Sequence, residues 1–248
     1  MLYNDLEQGI YILHENEEWL PPFREAFARA GLNFGEIDLS KGAINLDKEP
    51  PKGVFWSRMS ASSHTRGHAF AKDYARAIFA WLARYNRRIV NPLSVLELEV
   101  SKVAQYLALN SAGFRTPKTL AAFGKADLRE LARTLQTPFI IKHNQGGKGL
   151  GVRLFESFAE FEKCLNSSEF EQSADGIYLA QEYVKSKAPF ITRIEFIAGK
   201  FHYAVRVDTS DGGFELCPAE ACEIERKPKL AAAACDIGAK FSLRDEIK

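Results

Sequence analysis

The chain has 248 residues, 46% apolar and 26% charged, and 33 basic against 32 acidic side chains leave a formal charge of +1. This composition describes a folded globular protein able to bury a core without disulfide or metal staples, and an aromatic share of 12% excludes a disordered chain. The charge balance excludes the basic footprint of a nucleic-acid binder, and the longest apolar run, residues 77–83, is far short of the roughly 20 residues of a membrane span.

The stretch 1–9 is acidic and polar and carries no secretory signal, so a cytoplasmic protein is expected. Residues 10–13 are a short apolar run suited to a buried parallel strand. Residues 22–30 have helical spacing, closed by Gly31 as a C-cap. Residues 53–56 predict a second strand. Phe70, Tyr74, Ile78 and Trp81 mark one face of a helix running to about Arg84, and residues 88–90 are a third strand stopped by Asn91-Pro92. Strand and helix in alternation predict a doubly wound parallel sheet. Loops at the C-terminal ends of such strands carry binding residues, so Arg58, His64 and Arg66, in the polar run after the second strand, are candidates for holding an acidic substrate.

Ser94-x-x-Glu97 predicts a capped helix through about Asn110, ended by Gly113, and a change of composition suggests a domain boundary near residue 93. Thr116-Pro117 opens an extended segment, followed by a helix carrying Leu128, Leu131 and Leu135. From Pro138 the pattern turns to hairpins: a strand at 139–142, a glycine-rich turn at 144–150 and a return strand at 152–155. Ser157-x-x-Glu160 caps a short helix through Leu165, and 177–184 is a strand. Residues 191–197 and 201–207 form a hairpin around Gly199-Lys200. Period-2 alternation puts Phe201, Tyr203, Val205 and Val207 on one face, and Arg193 and Arg206 on adjacent arms are expected to face one cleft. Cys164, Cys217, Cys222 and Cys235 form no C-x-x-C pair and no zinc spacing, which leaves free thiols, and His64 and His68 lack a third ligand, so no metal ligands are assigned.

The segment Ile140-Ile141-Lys142-His143-Asn144-Gln145-Gly146-Gly147-Lys148-Gly149-Leu150-Gly151-Val152 is the most informative. Four glycines in six residues let the backbone approach a ligand and present N–H groups to an anion, and Lys142 and Lys148 add positive charge. A Walker A loop is excluded because Gly147-Lys148 is followed by Gly149, and a Rossmann fingerprint because the loop opens no helix. A flap over phosphates and a simple exposed hairpin turn both fit the residues.

In order, Ser101-Lys102, the stretch 109–113, Arg115-Thr116-Pro117-Lys118-Thr119, Pro138-Phe139-Ile140-Ile141-Lys142, the flap 146–152, Gln181-Glu182-Tyr183-Val184, Arg193, Gly199-Lys200 and Arg206 resemble the ATP-grasp superfamily. Within it the chain is similar to ligases of the ribosomal-protein-S6 glutamate ligase and glutathione synthetase type, over residues 94–210. The resemblance implies an α/β, α+β ATP-grasp architecture. Its parts are a parallel-sheet pre-grasp domain at 1–93, an ATP-grasp subdomain with the flap at 94–184, and a partial C-terminal subdomain at 185–248. It also implies that Lys102 and Lys142 meet the α- and β-phosphates of ATP, with Gly146, Gly147, Lys148 and Gly149 closing over them. Gln181, Glu182, Tyr183 and Val184 would form the hinge strand along the adenine, and Arg193 and Arg206 would bind the γ-phosphate or an acyl phosphate.

The implied activity is ATP-dependent carboxylate–amine ligation through an acyl phosphate, on a small-molecule or peptide carboxylate and an amine. A non-catalytic ATP-binding module and an ATP-grasp small-molecule kinase stand as alternatives. The chain departs from the family pattern twice. Residues 185–189 hold no acidic residue for the ribose, and no Glu-x-Asn motif for Mg2+ stands between Asp208 and Lys248, where Glu220, Glu223 and Glu225 do not match it. The Mg2+ ligands are therefore expected beyond Lys248, in a truncated ligase.

Overall fold

Strand β1 (Ile10–His14) carries Tyr11, Ile12 and Leu13, all wholly buried. A strand apolar on both faces needs cover on both, and it lies inside a parallel sheet. It pairs with β2 (Gly35–Asp38) on one side and β3 (Val54–Ser57) on the other, and β3 pairs with β4 (Arg88–Val90), giving the order β2-β1-β3-β4. The sequence pattern misses β2, whose four residues include one buried aliphatic side chain, Ile37. Helix α1 (Pro21–Arg29) ends as expected at Gly31, at φ +65°, with Leu32 N–H donating to Phe27 O at 2.9 Å. Helix α2 (Ala71–Arg84) buries Ala75, Ile78, Phe79 and Leu82 in a core that includes the stacked rings of Tyr11 and Phe55, 4.7 Å apart.

The computed structural model describes residues 2–209 except Lys148, Leu150 and Ala198. Cys217, Cys222, Cys235, Glu220, Glu223, Glu225 and Lys148 lie outside the described residues, whereas Cys164 is a free, buried thiol. The described residues form two compact units: residues up to Ala108 join Asn144–Gly146 and Ser173–Gly176 in the first, and the other described residues make the second. No described helix is long and apolar enough to cross a membrane.

The single helix expected over 94–110 is two. Helix α3 (Leu93–Val100) stops at Ser101, whose extended backbone (φ −138°, ψ 111°) breaks the ladder before α4 (Lys102–Ser111). Ser94 does not cap α3: Pro92 holds the N-cap position, and Glu97 instead takes the Arg76 guanidinium of α2 at 2.8 and 3.0 Å. That pair holds the Glu97 carboxyl below its ordinary range, and Leu96 and Val100 of α3 join the core of the parallel sheet.

The second unit is built on an antiparallel sheet. Strands β5 (Thr119–Phe123), β6 (Phe139–His143), β7 (Arg153–Phe155) and β8 (Ile177–Glu182) take the order β5-β8-β6-β7, so the glycine-rich segment does join two antiparallel strands. Helices α5 (Lys125–Ala132) and α6 (Phe158–Leu165) cover it, with Phe139 within 6 Å of the rings of Phe155, Phe158 and Phe161. The Ser157 hydroxyl accepts the Glu160 N–H at 3.2 Å, the cap that the sequence predicts.

Strands β9 (Phe190–Ile197) and β10 (Lys200–Asp208) make a separate two-stranded sheet. Its register corrects two expectations. A bulge at His202 places Phe201 opposite Phe196 and Tyr203 opposite Glu195, so Phe201 leaves the face of Tyr203, Val205 and Val207. Arg193 lies opposite Val205 and Arg206 opposite Thr192, which puts the two arginines on opposite faces of the hairpin.

Candidate functional site

In the first unit, Lys102 begins α4 beside the loop that follows β6. Its ammonium donates to Gly146 O at 2.9 Å and Asn144 O at 3.3 Å. Asn144, 3% exposed, organises this corner. Its side-chain oxygen accepts Val103 N–H at 2.9 Å and the Ser101 hydroxyl at 3.2 Å, and its amide donates to Asp175 at 2.7 Å. Ser173 in turn donates to Asp175 at 2.8 Å. Asn144 thus caps α4 from a distant point in the chain, satisfying a first-turn N–H that the helix cannot satisfy itself. The sequence hides this role, because an asparagine before two glycines looks like an ordinary turn residue.

In the second unit, Lys142 on β6 donates to the Gln181 side chain on β8 at 2.8 Å, and Gln181 donates to the Thr119 hydroxyl on β5 at 2.6 Å. Three neighbouring strands therefore share one polar chain that aims an ammonium. The Gln181 acceptor is a neutral amide, so this bond orients the ammonium without itself supplying a counter-charge. Beyond Lys142 the backbone needs glycine at Gly149 and Gly151, with φ of +83° and +69°. At Gly151 a Cβ would also lie 2.7 Å from the His143 ring, whereas at Gly147 it would meet open space. Glu182 closes β8 by exchanging two hydrogen bonds with Lys118, one through its backbone N–H and one through its carboxylate. The strand expected to reach 184 ends there, leaving Tyr183 half-buried and Val184 exposed beyond the ladder.

On the hairpin, Arg206 rests 4.6 Å over the Phe190 ring, while Arg193 lies 3.7 Å from Glu195. The three candidates of the parallel sheet are used differently. Arg66 forms a two-pronged pair with the buried carboxylate of Glu15, which also meets His68 Nδ1 at 3.2 Å, and its guanidinium sits 4.9 Å over Trp19. Its charge is thus matched inside the fold. His64 turns Nδ1 to Ala61 O at 3.0 Å within its own 3-10 turn, Ala61–Arg66. Arg58 lines a cavity of about 330 Å³, and Arg66 and His64 do not. Glu15, which determines this division, has no motif around it in the sequence.

Among the described residues no group of three or more His, Cys, Asp or Glu side chains could hold a metal ion. These residues do not fit a Mg2+ site, and no step is assigned to the ion. The ammonium groups and the glycine-rich backbone do fit phosphate oxygens, which are bound by such donors.

Among solved structures the chain is similar to a RimK-domain ATP-grasp protein from Sphaerobacter thermophilus, with a TM-score of 0.56 and 18% identity over 92% of this chain and 80% of that one. It is similar also to the D-cycloserine synthetase DcsG (TM-score 0.57, 18% identity, 91% and 79% covered). A third is the ATP-grasp ligase PsnB complexed with a minimal precursor (TM-score 0.54, 15% identity, 81% and 71% covered). No protein-family model and no curated protein matches the sequence. The chain has the ATP-grasp fold. The solved structures it matches include ligases and synthetases.

Proposed function

We propose that this chain binds ATP and ligates a carboxylate to an amine through an acyl phosphate. The observation that carries the reading is Lys142, aimed by Gln181 at 2.8 Å at the mouth of a glycine-rich β-hairpin, in a chain with the ATP-grasp fold. Within the second unit Lys142, Lys148 and the N–H groups of Gly147 and Gly149 hold the phosphates, and the backbone of Tyr183 and Val184, past the last ladder bond of β8, meets the adenine edge. Arg206 is the stronger candidate for the γ-phosphate. Its guanidinium rests on Phe190 and has no carboxylate partner among the described residues, whereas Arg193 has Glu195.

In the first step a carboxylate oxygen attacks the γ-phosphorus, the bond to the β-phosphate oxygen breaks, and ADP leaves an acyl phosphate. In the second the amine nitrogen attacks the acyl carbon, the C–O bond to phosphate breaks, and the nitrogen loses a proton as the amide forms. The protein's part is to position the reactants and to spread the charge of the transferring phosphoryl group.

Calorimetric titration of ATP into the wild type and Lys142→Ala tests the nucleotide site. One charge-assisted contact is worth about 1.5–3 kcal/mol, so about 10- to 100-fold weaker binding is expected of the variant. Equal affinity, or no binding by either protein, overturns the site. ADP release that requires both a carboxylate and an amine supports the ligase; release with either alone favours a kinase, and binding without release a non-catalytic module.

A further inference from the structure

We propose that the parallel-sheet unit carries its own site for a zwitterion with an apolar body, chemically an apolar α-amino acid, with Arg58 as the carboxylate anchor and Glu99 as the ammonium anchor. The sheet order puts β2 on one side of β1 and β3 on the other, so the chain reverses direction between β1 and β3. At such a switch point the C-terminal ends of the strands open into a crevice. Arg58 follows the last residue of β3, and Asn91 the last residue of β4; both line the 330 Å³ cavity.

Arg58 is the observation that points to a ligand. Its Nε is buried and unpartnered, and its guanidinium has no hydrogen-bond or ion-pair partner among the described residues. The rings of Phe23 and Trp56, 5.5 and 5.8 Å away, hold its plane without accepting its N–H groups. Buried donors are nearly always paired, and a planar fork of donors matches a carboxylate in two-pronged fashion. The contrast with Arg66, whose fork is filled by Glu15, lies in the same unit.

The walls narrow the class. Trp19, Val95 and Leu96 offer an apolar surface, which suits an apolar body. Glu99 stands on the lining with one oxygen held by Ala61 N–H at 3.2 Å and makes no ion pair with Arg58. One cation and one anion on a shared cavity select a ligand with one of each; a phosphate dianion would meet one guanidinium and be repelled by Glu99. That such an amino acid is a substrate rests on the ligase reading above, but its binding does not.

The test is calorimetry without nucleotide, using L-leucine and L-phenylalanine, with 4-methylpentanoate, isopentylamine and inorganic phosphate as probes that lack one feature. Saturable binding of leucine or phenylalanine is expected, at least tenfold tighter than either single-charge analogue. Arg58→Gln should weaken it at least tenfold, with part recovered in Arg58→Lys. In Glu99→Gln the amino acid should lose its advantage over 4-methylpentanoate. No binding of either amino acid, binding indifferent to Arg58→Gln, or tighter binding of phosphate overturns the proposal. An ATP titration on the same samples separates the two readings: ATP bound with amino acids ignored sinks only this site, and the reverse sinks only the nucleotide site.

Discussion

The parallel sheet and the β9–β10 hairpin use the same pair of side-chain types under opposite conditions. In the sheet unit the Glu15 side chain is wholly buried and holds Arg66 by two oxygens. On the hairpin Glu195 approaches Arg193 at 3.7 Å, with both side chains more than two-fifths exposed. Water screens the second pair and competes for it, so it contributes little. In the first pair Glu15 is out of water and Arg66 is only 26% exposed, so breaking it leaves a poorly solvated charge behind. Burial, rather than the presence of a charge, therefore decides which ionic groups shape this molecule.

The largest expected effect is from Glu15→Ala, which should lower the stability of the parallel-sheet unit by about 3 kcal/mol, read from urea midpoints. Next, Asn144→Ala removes the acceptor of Val103 N–H and one of the donors to Asp175; a loss of about 1–3 kcal/mol is expected. An unchanged urea midpoint would show that α4 is held by other contacts.

A shallower effect belongs to His14, 3% exposed, whose ring nitrogens have no hydrogen-bond partner among the described residues. Burial pushes its pKa below the ordinary 6.5, against the opposing pull of Asp38, Glu36 and Glu17. The unfolded chain then binds the proton more readily, so the contribution is complete above about pH 6.5 and is lost as the pH falls through the depressed native value. Urea midpoints at pH 7.5 and 5.5 should fall for the wild type and stay closer together in His14→Leu; parallel curves would remove His14 as the cause. Least of all, Glu195→Ala should change stability by no more than about 0.5 kcal/mol. A loss matching that of Glu15→Ala would break the comparison between the two regions.

Local pattern reached far in this chain. The runs behind β1 and β3, the α1 stop at Gly31, the Ser157 cap and the antiparallel hairpin around the glycine-rich segment were all legible, because each depends on residues a few positions apart. The same holds for Lys142 as a cation beside that segment. Ser94 shows the limit of such reading, since its motif was intact and yet Glu97 was taken by Arg76, 21 residues away.

The sequence by itself determined most of the element types and the cationic glycine-rich hairpin, though not β2 or the break at Ser101. Tertiary structure alone decided which polar groups meet. It set Lys142 against Gln181, made Asn144 the cap of α4, turned Arg193 and Arg206 to opposite faces, and matched Arg66 with Glu15 while leaving Arg58 open to its cavity. Periodicity and turn chemistry act within one element, where the residues themselves carry the information. Register, burial and charge pairing join residues of different elements, 39 positions apart for Lys142 and Gln181 and 51 for Glu15 and Arg66, and their energies exist only once the intervening chain has packed and excluded water.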